Sequence, residues 1–93
     1  MIVSKAHIIA TGRVQGVSFR SYAVLAAREV GITGWVKNRG DGSVEIMAEG
    51  KKKDLEDFIT WCHKGPPFAG VGKVEVSFTD GEQEYYSFEV VRE

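Results

Sequence analysis

The chain has 93 residues, room for one domain spanning 1–93 and too few for two independent ones. Apolar residues make up 43% and charged residues 27%, a globular balance that excludes wholesale disorder. Twelve Lys and Arg against 13 Asp and Glu leave a net charge of −1, which argues against a general nucleic-acid binder but leaves a local anion site open, because net charge averages over the whole surface.

Eleven glycines and two prolines cut the chain into short elements. Residues 6–13 read as a strand that runs into a turn at Gly12. Residues 18–30, SFRSYAVLAAREV, read as a helix, with Phe19, Ala23, Ala26 and Val30 forming its core stripe. Gly31 stands where a left-handed C-terminal cap is expected. A second strand at 32–38 and a third at 43–49 flank Arg39-Gly40-Asp41-Gly42, and Asp-Gly between two such runs signals a hairpin.

Gly50 opens a second helix over 51–64, with Leu55, Phe58, Ile59 and Cys62 on one face. Gly65-Pro66-Pro67 ends it, since proline cannot continue the hydrogen-bond ladder. Alternation around Val74, Val76 and Phe78 predicts a half-buried strand at 72–79, and 85–91 supplies a last one at a sheet edge. Two helices can cover only one face of such a sheet. The order therefore predicts an α+β, two-layer sandwich: a ferredoxin-like split βαβ fold (βαββαβ) with a four- to five-stranded, mostly antiparallel sheet. That fold hosts many activities and by itself assigns none.

The single cysteine, Cys62, excludes an intramolecular disulfide and a cysteine-based zinc cluster, and reads as core filler. No run approaches the roughly 18 apolar residues of a membrane span. The opening MIVSKAHIIATGR is broken by Lys5 and His7 and lacks a signal-peptide core, so the expected location is cytoplasmic. His7 and His63 have no metal-ligand partner at helical spacing, and Lys51-Lys52-Lys53 reads as a solvated helix start.

Chemistry is concentrated in Gly12-Arg13-Val14-Gln15-Gly16-Val17-Ser18-Phe19-Arg20, between the first strand and the first helix. Two glycines let the backbone turn tightly and approach a ligand. The loop then enters a helix N-terminus, where unpaired N–H groups and about half a positive charge make an anion site. Arg20 lies in the first helical turn, where its own charge is slightly disfavoured unless an anion is held nearby. Its planar fork suits two parallel bonds to phosphate oxygens, the alternative being a simple pairing with a surface carboxylate. A Walker A loop is excluded because no Gly-Lys is followed by Ser or Thr. A cysteine phosphatase is excluded because Val14 stands where its nucleophile belongs, six positions before the arginine. Ser18, the one hydroxyl in the loop, is expected to cap the helix rather than attack.

GRVQGVSFR, GWVKNRGDGSVEIMAEG at 34–50 and GPPFAGVGKV at 65–74 together resemble the acylphosphatase family, in order and spacing, through essentially the whole chain. The resemblance implies hydrolysis of an acyl phosphate to a carboxylate and inorganic phosphate by direct in-line water attack. It implies no metal and no cofactor. It carries the phosphate loop onto Val14, Gln15, Gly16, Val17, Ser18, Phe19 and Arg20, with Arg20 as the phosphate-binding arginine, and the water-positioning asparagine onto Asn38. Ser18 departs from the family pattern, in which an aromatic residue or glycine is common before the phenylalanine. The expected partner is a small acyl phosphate, without nucleic acid or membrane, bound by a monomer. Two rivals stand beside this reading. A ferredoxin-like RNA binder would need paired aromatics on a basic sheet face. A family-like anion-binding module that has lost turnover would not need Asn38.

Overall fold

A computed structural model describes residues 1–92. Its elements are β1 (Ile2–Arg13), α1 (Phe19–Val30), β2 (Thr33–Asn38), β3 (Val44–Gly50), α2 (Lys52–Lys64), β4 (Gly70–Glu82) and β5 (Phe88–Val90). The strands form one sheet in the order β4-β1-β3-β2-β5. β3 runs antiparallel to both β1 and β2, so these two run parallel with β3 between them. β4 pairs antiparallel with β1, and β5 pairs parallel with β2. This is the expected ferredoxin-like arrangement with an added edge strand.

Alternation decides which face of the sheet is covered. Ala6, Ile8 and Ala10 of β1, Val36 of β2, and Val44, Ile46 and Ala48 of β3 are fully buried. They share one core with Phe19, Ala23 and Ala27 of α1 and with Leu55, Phe58 and Cys62 of α2. α1 lies over β2 and β5, and α2 over β1, β3 and β4. The α1 stripe runs through Ala27, with Ala26 and Val30 only half-buried, because the helix packs along a row spaced by four rather than the mixed row expected. In α2, Ile59 is half-buried beside the buried row. Burial pushes the Cys62 thiol well above its ordinary range, consistent with its place in the core. No helix among the described residues is long and apolar enough to cross a membrane.

Three strands differ from expectation by more than one residue. β1 begins at Ile2 rather than at 6, and β4 spans Gly70–Glu82 rather than 72–79. The two strands pair along their whole length, from Ile2 opposite Glu82 to Arg13 opposite Gly70. β4 is an edge strand with little burial, so ladder bonds rather than an apolar pattern set its ends. β5 is shorter than expected, because Tyr85 is held by a side chain instead of a strand. Glu49, buried in β3, accepts the N–H groups of Glu84 and Tyr85, each at 2.9 Å from Oε1, and pairs with Lys5 Nζ at 3.0 Å. Burial alone would push the Glu49 carboxyl up. The two N–H bonds and the Lys5 ammonium outweigh it and hold the group below the ordinary glutamate value.

Candidate active site

Placement begins with the register. Asn38, the last residue of β2, pairs with Val44, which pairs with Ala10 of β1. The C-terminal ends of β1 and β2 therefore lie at the same end of the sheet, as the expected ferredoxin-like topology implies. From Arg13 the chain turns back through residues 14–18 into α1. Gly12 sits at a bulge in the β1–β4 ladder with φ of 112°. A Cβ there would stand 2.4 Å from Gly70 O and 2.7 Å from Gly72 N, so neither the conformation nor the space admits a side chain. Gly16, with φ of 75°, has open space around it, and its requirement is purely conformational.

Val14 anchors the loop by burying its side chain in the core, and its N–H bonds to Gly12 O at 3.1 Å. Beyond it the loop is rich in free donors. The first backbone bond of the helix runs from Tyr22 N–H to Ser18 O at 3.1 Å. The N–H groups of Gly16, Val17, Ser18, Phe19 and Arg20 have no acceptor among the described residues. Ser18 does not cap α1 through its side chain. It adopts a left-handed conformation, φ 62° and ψ 25°, and makes no side-chain cap bond. A capping hydroxyl needs an extended backbone at that position, and the turn into α1 uses the left-handed one instead.

Val14, Gly16, Ser18, Phe19, Arg20 and Ser21 line a cleft of about 310 Å³ together with Asn38 and Arg92. The fold thus brings Arg20 and Asn38 to one cavity. Gln15 and Val17 are not among its lining residues: Val17 packs against the core, and the Gln15 amide turns to the hairpin. Arg20 has no carboxylate partner among the described residues, and the first turn of α1 holds no acidic residue. Asn38 Oδ1 is buried without a hydrogen-bond partner among the described residues. Burying an unpaired acceptor costs about 1–3 kcal/mol.

Arg92 was not singled out from the sequence. It reaches the cleft because β5 runs parallel to β2, with Val36 opposite Val90 and Val91 N–H bonded to Val36 O at 2.9 Å. That register brings residue 92 level with residue 38, a relation that no local pattern encodes. Among the described residues, two guanidiniums, a helix N-terminus and no carboxylate line the cleft, a lining suited to an anion.

The family model for acylphosphatase matches residues 6–90. The chain belongs to the acylphosphatase family. An acylphosphatase of Anaeromyxobacter sp. (strain Fw109-5) is 50% identical over 76 residues, 82% of either chain. The crystal structure of acylphosphatase from Bacillus subtilis superposes with a TM-score of 0.93 at 38% identity, covering 96% of this chain and 99% of that one. An acylphosphatase structure from Coxiella burnetii gives 0.90 at 35% identity, covering 96% and 93%. As in the acylphosphatase family generally, the reaction is hydrolysis of acyl phosphates to a carboxylate and inorganic phosphate.

The other sequence candidates lie elsewhere. His7 contacts Glu45 at 2.6 Å across the uncovered sheet face, and His63 is exposed in the last turn of α2. Arg13 is exposed and does not line the cleft. Trp61 packs on Phe19 and Phe58, with ring centroids 5.2 Å and 5.8 Å away. Among the described residues, no three His, Cys, Asp or Glu side chains are grouped to hold a metal ion.

Proposed function

We propose that the cleft between the 14–20 loop and Asn38 carries out the hydrolysis by direct in-line attack of water. The observation that carries this reading is the meeting, in one cavity, of Arg20 and the buried Oδ1 of Asn38, neither with a partner among the described residues. In this reading, loop N–H groups and the Arg20 guanidinium donate to the phosphoryl oxygens and neutralise their charge. Asn38 Oδ1 accepts a hydrogen bond from the attacking water and holds its lone pair toward phosphorus.

The P–O bond to the acyl group breaks as the water oxygen bonds to phosphorus, and the carboxylate leaves with the electron pair. Its conjugate acid has a pKa near ~4, so departure needs no proton from the protein. The water's surplus proton passes to a phosphate oxygen. Phosphoryl transfer through a loose transition state asks mainly for positioning and charge stabilisation, the two services this cleft is built to supply. An amide suffices to orient the water, and no triad or carboxylate pair is required. In this reading the enzyme works as a monomer, since every group the mechanism uses comes from one chain, and the mechanism calls on no metal or cofactor; the location proposed for it is the cytoplasm, as expected from the sequence.

Two substrates test the reading. Chelator-treated protein should hydrolyse benzoyl phosphate rapidly and p-nitrophenyl phosphate slowly. Arg20→Ala should damage both KM and kcat, and Asn38→Ala chiefly kcat. Equal rates on the two substrates, or a requirement for magnesium, would overturn the leaving-group argument. Phosphate binding without turnover would favour the anion-binding module.

A further inference from the structure

We infer that Gln15 is a positioning residue: its side-chain amide ties the phosphate loop to the hairpin that carries Asn38 and so sets where the water stands relative to the phosphoryl group. This rests on the role proposed above for Asn38 and adds a residue to it. The Gln15 Nε2 group donates to Arg39 O at 2.8 Å and to Ser43 O at 2.9 Å, using both of its hydrogens. Those two carbonyls flank the β2–β3 turn. Arg39 directly follows Asn38, and Arg39 N–H itself bonds to Ser43 O at 2.8 Å. A further clasp closes the same turn, where Asp41 Oδ1 accepts from Ser43 N–H at 3.0 Å and from Ser43 Oγ at 2.5 Å.

Gln15 stands between Val14, buried in the core, and Gly16, which lines the cleft, so it is well placed to transmit the position of one segment to the other. The hairpin backbone is already paired within itself, so the amide is an addition that links two segments distant in the chain. The groups to which the mechanism gives the phosphoryl oxygens, the loop N–H groups and Arg20, lie in the continuous segment 14–20, whereas the water-orienting oxygen lies on the far side of this bridge. Breaking the bridge should leave phosphate binding intact and misplace the water. A displacement near 1 Å at a reacting centre is enough to cost orders of magnitude in rate.

The test is a double-mutant cycle with Gln15→Met, which keeps the length and volume of the side chain and removes both donors, and Asn38→Ala. Turnover of benzoyl phosphate and inhibition by inorganic phosphate are measured for all four proteins, with thermal unfolding as a check on folding. Gln15→Met should lower kcat about tenfold while the inhibition constant of phosphate stays within about threefold. In the Asn38→Ala background the same substitution should change kcat by less than about twofold, because the group it positions is gone. A full tenfold loss in that background, or a parallel loss of phosphate binding, would overturn the inference and leave Gln15 a stabilising residue only. Asn38→Ala without effect on kcat would instead refute the role of Asn38, so the two failures are distinguishable. Should Gln15→Met not fold, Gln15→Ala read by the same split replaces it.

Discussion

Asn38→Ala is expected to make the protein a poorer enzyme and a more stable one. The side chain ends β2, lines the cleft, and makes no hydrogen bond to any described residue. Its Oδ1 is buried and unpaired among the described residues, a state that costs about 1–3 kcal/mol relative to an oxygen left in water. Alanine removes that acceptor together with a few packing contacts of a half-buried side chain. The net expected gain is about 1 kcal/mol, which in a domain of this size raises Tm by roughly 4–8 °C. Over the same substitution kcat for benzoyl phosphate should fall about 100-fold, the scale on which orientation of a reactant contributes. Circular dichroism melts in phosphate-free buffer and initial rates on the same preparations check both halves. A variant that melts several degrees lower, or one that keeps its kcat, would show that the oxygen is not held in reserve for water.

Arg20→Lys keeps the charge but loses the second parallel bond of the guanidinium fork. kcat/KM should drop about 10- to 100-fold in steady-state assays, the range set by one charge-assisted hydrogen bond. Arg92→Gln should raise KM about fivefold at low ionic strength, with the effect shrinking in 0.5 M salt (an assay condition of about that strength), because an exposed cation acts mainly through a screened field. Glu49→Gln should cost about 2 kcal/mol at pH 7 by weakening acceptance from Glu84 and Tyr85 and by leaving Lys5 with Glu84 as its one carboxylate partner among the described residues. Because the Glu49 pKa is depressed in the folded state, its contribution is present above the unfolded value of about 4.3 and lost as pH falls through the lower folded value. Urea melts from neutral to acid pH should therefore show a steeper loss of stability below about pH 4.3 in the parent than in the variant.

Periodicity located both helices and most of the strands because those elements are amphipathic on a repeating scaffold: Phe19 and Ala23, or Leu55, Phe58 and Cys62, face one core. It placed the ends of β4 and β5 poorly. β4 is an edge strand stabilised by its ladder to β1, and the segment before β5 is tied down by a buried carboxylate, neither of which leaves a periodic trace. Ser18 illustrates the same divide at a single residue. Its hydroxyl suggests a cap, yet the left-handed turn into α1 is imposed by where the loop must meet the helix.

The phosphate loop was legible as chemistry, since glycines before a helix start and an arginine in its first turn are neighbours along the backbone. The pocket they serve was legible only in part: the family resemblance and the expected topology brought Asn38 to it, and nothing in the sequence pointed to Arg92 or to the Gln15 bridge. Asn38, Arg92 and the Gln15 bridge come to that loop from distant segments, through the pairing of β2 with β3 and with β5 and through two bonds across to a turn. Hydrogen-bond donors and turn preferences are properties of a stretch of chain, and inspection of that stretch finds them. Which stretches become neighbours depends on register across the whole sheet, a balance of many weak long-range contacts that is struck only once the chain is folded.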